Sequence, residues 1–303
     1  MNYKIFLFSS VVLSIISCSE PNNKEQETIK QTVVTSETIL QKVDHAVEKL
    51  NNQISDYKTI TVLDHHRMAK EAGVYTPPSI ATIFSNLEVE LPLVQENQLI
   101  GLDLPFKVLC YAEPDTSSAM IAYTSAEFIK NRHNLNSELL VDYQITMNQI
   151  IETYSSESVS VTDVSSVQEG FGIVKIKSDF DFEHTVQNLR EVIMSQGDTK
   201  WFADINYTEK APQLGLNLRP TILLLFGGPA PGGKAMMTTP KIGLDAFCQK
   251  LLVFENEVGE VWIAYNDIVD FSKLYYGNST KPQQMINQRL KVTFTKAVTQ
   301  PIN

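Results

Sequence analysis

The chain has 303 residues, is 43% hydrophobic and 20% charged, and carries a formal net charge of −10. That composition is ordinary for globular protein, with enough chain for two cores. It argues against a phosphate-tracking nucleic-acid binder, which needs a basic stripe to release counterions; no such Lys/Arg cluster occurs, so no nucleic-acid partner is expected.

At the N-terminus Lys4 precedes the apolar run Ile5–Ile16, broken only by serines. The run is too short for a permanent bilayer span and reads as a signal peptide. It ends Ile15-Ile16-Ser17-Cys18-Ser19, which resembles a bacterial lipobox, with an aliphatic and then a small residue ahead of the cysteine. Residues 1–18 are therefore expected to be a lipoprotein signal peptide and Cys18 the lipidated residue. Several acyl chains on one residue suffice for stable anchoring. The alternative is an ordinary signal peptide with an incidental cysteine. Residues 19–27 are polar and aperiodic and suit a flexible tether. The expected location is the bacterial cell envelope, lipid-anchored and periplasm-facing, with the outer membrane as the membrane.

A first unit, 28–154, opens with the β-branched Thr28–Thr35 as a strand. A helical stripe follows at Val43, Val47, Leu50 and Ile54. A second unit, 170–300, repeats this with Gly172–Lys177 and with Phe182, Val186, Leu189 and Ile193, at one constant separation from the first stripe. Internal repeats of this kind decide the architecture. Short strands come next, Lys58–Leu63 and Lys200–Ala203, each with an Asp after it (Asp64, Asp204). A short helix or loop leads to Gly73 and Gly215. The strands Ile80–Phe84 and Thr221–Phe226 follow, the latter apolar enough to be buried on both faces.

Beyond them the copies diverge. The second has Gly227-Gly-Pro-Ala-Pro-Gly-Gly-Lys234, read as a loop; the first has Ser85–Pro92. Helical turns are expected at Leu91–Asn97 and Ala235–Pro240. A terminal hairpin closes each sheet, with Glu257–Glu260 as a turn in the second. Each unit ends in helix: Ala126–His133 then a stripe through Leu140, Tyr143, Met147, Ile150 and Tyr154; and Ile268–Tyr276 then Met285, Ile286, Leu290 and Phe294. Residues 155–169, Ser-rich at first, are the linker.

These repeats resemble a known family, the bacterial domain of unknown function 302. The second copy carries the pattern at Asp204, Gly215, Pro220, Phe226, Gly227, Pro229, Met236, Met237, Pro240, Asp245, Lys250, Trp262, Tyr265, Asn266 and Asp267. The first carries it at Asp64, Gly73, Pro78, Phe84, Asp103, Leu104, Pro105, Lys107, Tyr123, Arg132 and His133. Neither is complete: the first lacks the Gly-x-Pro turn, and the second has Leu274-Tyr275-Tyr276 near the Arg-His position. The resemblance implies an α+β fold in two tandem copies, each a strand, a helix, an antiparallel sheet and a helix, similar to the TATA-binding-protein-like fold. It implies no activity.

The weak catalytic candidates are Asp103, Lys107 and His133, with Asp245 and Lys250 as second-copy counterparts. The simplest reading of each Asp-Lys pair is a buried Asp capping the next turn beside a solvated Lys. His133 sits at a helix C-terminus, where a cation is favourable through the dipole alone; proton transfer would need a carboxylate partner. His65-His66 are expected in a loop and make no metal site by themselves. The Gly227–Lys234 stretch lacks the ending of a phosphate-binding loop and is better read as a tight turn allowing close strand–helix packing. Cys110 and Cys248 do not align between the two copies and are expected as buried free thiols in separate domains, the alternative being a structural disulfide in an oxidising periplasm. No cofactor or metal is expected. The leading reading is a non-enzymatic module holding a small-molecule ligand or an envelope protein, between sheet and helices or at the junction of the copies. The rival is an enzyme whose site lies in one repeat only.

Overall fold

The computed structural model describes residues 39–299, so Cys18 and the signal peptide, tether and Thr28–Thr35 strand that the sequence leads one to expect lie outside the described residues. The first repeat begins with α1 (39–53), which buries Val43 and Leu50, with Ile54 buried just past its end. Then come β1 (Lys58–Asp64), α2 (His65–Glu71), β2 (Ser79–Ser85), α3 (Leu87–Glu96), β3 (Phe106–Tyr111), β4 (Met120–Tyr123), α4 (Ala126–His133) and α5 (Val141–Ile151). The second repeat has β5 (Ile173–Lys177), α6 (Phe182–Met194), β6 (Lys200–Asn206), α7 (Tyr207–Lys210), β7 (Thr221–Gly227), α8 (Pro229–Met236), β8 (Gln249–Glu255), β9 (Val261–Asn266), α9 (Ile268–Tyr276) and α10 (Lys281–Thr299). Each repeat builds its own antiparallel sheet, ordered β1-β2-β3-β4 and β5-β9-β8-β7-β6. The fold is α+β, as the repeat implied, and no described helix is long and apolar enough to cross a membrane.

Both central strands, β2 and β7, are buried at every position. Helices of the same repeat cover one face: Phe84 stacks on Phe106, and Phe106 on Tyr143 of α5. The other repeat covers the opposite face. The 3-10 turn Pro240–Leu244 packs on β2 and β3, and its first-repeat counterpart, Gln98–Leu102, packs on β7, β8 and β9. The contacts are reciprocal. Gly243 lies against His65, and Gly101 against Tyr207. Ser79 Oγ donates to the Pro240 carbonyl, while Gln98 Nε2 donates to Thr221 Oγ1. A Cβ on Gly101 would fall 2.9 Å from Leu252 Cδ1, and one on Gly243 would fall 3.1 Å from Ser79 Oγ, so the two turns approach the opposite sheets as closely as backbone can.

Four local expectations are corrected. The Gly227–Lys234 stretch is mostly helix: α8 starts at Pro229, where the missing N–H is one the first turn leaves free anyway. One of its glycines, Gly233, serves helix–helix rather than strand–helix packing. A Cβ on Gly233 would lie 2.6 Å from Ala69 Cβ in α2 of the other repeat and 2.8 Å from Val74 Cγ2. Likewise α3 already begins at Leu87, and its buried Glu90 reaches back to the Asn86 N–H at 2.8 Å and the Ser85 hydroxyl at 2.9 Å. That back-reach satisfies an orphan donor, while burial pushes the Glu90 carboxyl up to about 7.

Asp204 does not close its strand. It lies within β6, accepting from Trp201 Nε1 at 3.0 Å and pairing with Arg190 at 2.6 Å. The counterpart of Asp64, which caps α2 by accepting from Arg67 N, is Asn206, which caps α7 by accepting from Glu209 N. His65 and His66 belong to α2 rather than a loop. Burial lowers His65 to about 4, leaving its ring neutral. The linker, finally, is held along its length: Ser160 N donates to the Ile121 carbonyl at 2.7 Å, Lys241 Nζ to Ser160 Oγ at 2.9 Å, and Gly170 N to the Arg132 carbonyl at 2.8 Å.

Candidate functional site

All five candidate residues meet in one buried network at the junction of the repeats. Asp103 follows the turn Gln98–Leu102, and Asp245 follows Pro240–Leu244, so each carboxylate stands where a turn of one repeat enters the other. Arg132 and His133 come from the last turn of α4. Arg132 Nη1 donates to Asp103 Oδ1 at 2.7 Å, and His133 Nε2 contacts Asp103 Oδ2 at 2.6 Å. The guanidinium also donates to the Phe171 carbonyl at 2.8 Å and to Asn266 Oδ1 at 2.7 Å, so one side chain ties the first repeat to the linker end and the second repeat. It rests over the rings of Phe128 and Phe271 as well.

Both lysines are inside the protein, not solvated as expected: Lys107 is 1% exposed and Lys250 2%. Nor do they pair with the Asp of their own repeat as side chains. Lys107 Nζ donates to the Asp103 carbonyl at 2.8 Å and lies 3.1 Å from Asp245 Oδ1 across the junction. Lys250 Nζ donates to the Leu244 carbonyl at 3.2 Å. Tyr275 of α9 takes the place in its repeat that His133 has in the first, its hydroxyl donating to Asp245 Oδ2. Asn266 Nδ2 donates to the Asp245 carbonyl at 2.9 Å.

The electrostatics follow from burial and neighbours. Burial alone would raise the Asp103 carboxyl, but Arg132, His133 and Lys107 together hold it well below the usual carboxylate range. Asp245 is held down in the same sense, burial being outweighed by Lys107, Lys250 and the Tyr275 hydroxyl. Both carboxylates are therefore ionised, and the His133 nitrogen facing Asp103 acts as donor. Burial pushes Lys250 down to about 8, Lys107 adding to the effect and Asp245 opposing it. The expected free thiols are confirmed, Cys110 and Cys248 being buried and unpaired, with burial raising them to about 12 and about 11. Among the described residues no group of three or more His, Cys, Asp or Glu side chains is arranged to hold a metal ion.

One cleft reaches this network. Its outer part, about 410 Å³, lies between the end of β4, α4, α5 and linker residues Val161 and Thr162. A smaller chamber of about 20 Å³ shares Tyr123, Ser125, Val161 and Thr162 with it and ends on Thr124, Asp245 and Tyr275. Asp103, Lys107, Arg132, His133 and Lys250 line neither part. Asp245 Oδ1, within ion-pair distance of Lys107, still lacks a hydrogen bond of good geometry, as does Thr124 Oγ1; both atoms are buried. Sequence reasoning passed over Thr124 and Tyr275. The usable signal for Tyr275 was its place in the repeat, opposite His133.

The family model described as "Domain of unknown function DUF302" matches residues 32–154 and 174–293. The fluoride-specific ion channel FluC 1 of Brucella suis biovar 1 (strain 1330) is 25% identical over 127 residues, 41% of this chain and 49% of that protein. FluC 2 of Brucella melitensis biotype 1 is 25% identical over 127 residues, 41% of this chain and 46% of that protein. The chain thus spans about half the length of the curated relatives it matches. A solved structure, the uncharacterized conserved protein DUF302 from Bacillus stearothermophilus, aligns with a TM-score of 0.35 and 15% identity, over 42% of this chain and 95% of that one. Matched along both repeats, the chain belongs to the family described as domain of unknown function DUF302, of which it carries two tandem copies.

Proposed function

We propose that the protein is a non-enzymatic binding module of the cell envelope that holds a small polar molecule in the cleft beside the linker. The observation that carries this reading is the chamber's inner end, where the buried Thr124 Oγ1 makes no hydrogen bond among the described residues and Asp245 Oδ1 has only its ion pair with Lys107. Buried polar groups normally make full sets of hydrogen bonds, so incompletely bonded ones at residues lining a cavity invite a partner from outside. The enzyme reading fares worse. Asp103, Lys107 and His133 are engaged with one another and with Arg132 and Asp245, away from the cleft, and a general acid or base must come within hydrogen-bond reach of its substrate. The network is better understood as what fastens the repeats together.

Thermal denaturation of the purified protein against lipids, sugars, nucleotides, metal ions and sodium fluoride tests the reading; the names of the Brucella relatives are the reason for including fluoride. A ligand at a hundred times its Kd adds about 2.7 kcal/mol, a rise of several degrees in Tm for a chain of this size. Gln144→Trp, at an exposed position lining the cleft, should abolish that rise with little change to the unliganded Tm. A rise that survives Gln144→Trp would place the ligand elsewhere.

The lipid anchor is part of the same proposal and rests on the lipobox-like Ile15–Ser19. Cys18→Ala should move the protein from the membrane fraction to the soluble one. Retention in the membrane fraction would defeat it.

A further inference from the structure

The cleft's chemistry narrows the class of ligand, given that the cleft is the binding site. The inner chamber, at about 20 Å³, has room for one water-sized group. A carboxylate or phosphate does not fit that volume, and the ionised Asp245 at its end would repel one. What the chamber offers are acceptors: Asp245 Oδ1, Thr124 Oγ1 and the remaining lone pairs of the Tyr275 hydroxyl, whose proton already goes to Asp245 Oδ2. The entering group must therefore donate. A cationic donor gains little, because Lys107 already stands 3.1 Å from Asp245 Oδ1 and Lys250 lies nearby in the same network. A neutral hydroxyl meets every condition, donating to the carboxylate while accepting from the Thr124 hydroxyl.

The outer cleft points the same way. Its polar wall is made of hydroxyls and amides, Ser125, Ser137, Gln144, Asn148 and Thr162, which suit ligands that both donate and accept. Its ionic groups, Glu127 and Lys130, stand one helical turn apart on α4 and cancel in charge. The half-buried Tyr123 adds an aromatic ring to the lining, a surface against which the C–H face of a sugar ring can pack, while Leu140 and Met147 line the cleft almost wholly buried. The volume of about 410 Å³ lies within the range of small-molecule sites.

We infer that the cleft binds a neutral, hydroxyl-rich molecule of mono- or disaccharide size, one of whose hydroxyls enters the inner chamber to bridge Asp245 and Thr124. This rests on the binding-module reading above, and the test separates the two. The full-length protein, in a detergent without a sugar headgroup, is titrated calorimetrically with glucose, maltose and trehalose. Glucuronate, glucosamine, inorganic phosphate and adenosine monophosphate serve as charged comparators. A neutral saccharide should bind, and Thr124→Val, which keeps the side-chain shape and removes the hydroxyl, should weaken it about fivefold to tenfold, the loss of one neutral hydrogen bond. Gln144→Trp should abolish the binding, and this arm stands even if Thr124→Val fails to fold. Saccharide binding untouched by Thr124→Val would overturn the chamber assignment. Binding of charged comparators alone, abolished by Gln144→Trp, would overturn the saccharide class and leave the cleft as the site. No binding by any probe would overturn both.

Discussion

Asp103→Ala should cost about 3–5 kcal/mol of stability, because it leaves the Arg132 guanidinium buried without its carboxylate partner. Arg132 and Asp103 are both 0% exposed, so water cannot replace the lost partner. Against a total stability of about 5–15 kcal/mol for a folded domain, that loss brings the variant near the limit of folding, and urea unfolding should show it directly. The informative control is Arg67→Ala. Arg67 pairs with Asp44 and Asp64 at comparable distances, but its side chain is 47% exposed, and exposed pairs contribute about 0–1 kcal/mol.

The pH dependence provides a second readout. The Asp103 carboxyl is held below its ordinary value in the folded state, so its contribution is present above about pH 4, the unfolded value, and is lost as pH falls toward the folded one. The wild type should lose stability more steeply below pH 4 than Asp103→Ala does. Equal stability of the two proteins at pH 7 would refute the fastening role.

The second large effect is expected at Gly233. In isolation Gly233→Ala should help, since alanine in a helix is favoured over glycine by about 1 kcal/mol. The approach of α2 reverses the sign. The new methyl would stand 2.6 Å from Ala69 Cβ, and forcing a methyl into a packed contact costs about 1–3 kcal/mol. A net loss of up to about 2 kcal/mol is expected. The nearer of the two obstacles is the Ala69 methyl, the other being Val74 Cγ2 at 2.8 Å, so Ala69→Gly should relieve part of the clash, and the double-mutant cycle should show a coupling of about 0.5–1 kcal/mol. Strict additivity would mean that the two helices separate at little cost.

Much of the scaffold could be read from residue spacing. The stripes Val43–Ile54 and Phe182–Ile193, the helices Ala126–His133 and Ile268–Tyr276, and the apolar strand Thr221–Phe226 all announce their periodicity locally. The start of α8 does not, since Pro-Ala-Pro-Gly-Gly has poor intrinsic helix propensity and is held in helix by packing against α2. The candidate site was legible as a list of residues but not as a place. Asp103 and Lys250 look like members of separate, equivalent pairs, and only the crossing of the two turns makes them neighbours in one network. The solvated lysines are an expectation that considers each copy alone.

That crossing has a consequence for how the molecule could diversify. A symmetric pair of identical chains carries the same residue at both related corners of its interface, so any substitution is made twice. Joining the copies in one polypeptide removes the constraint. Here one corner has a histidine closing on Asp103 against a buried arginine, and the other has a tyrosine on Asp245 with a cleft behind it. Duplication kept the frame, while covalent linkage left the two corners free to differ. A chain built this way should take up one ligand molecule, not two.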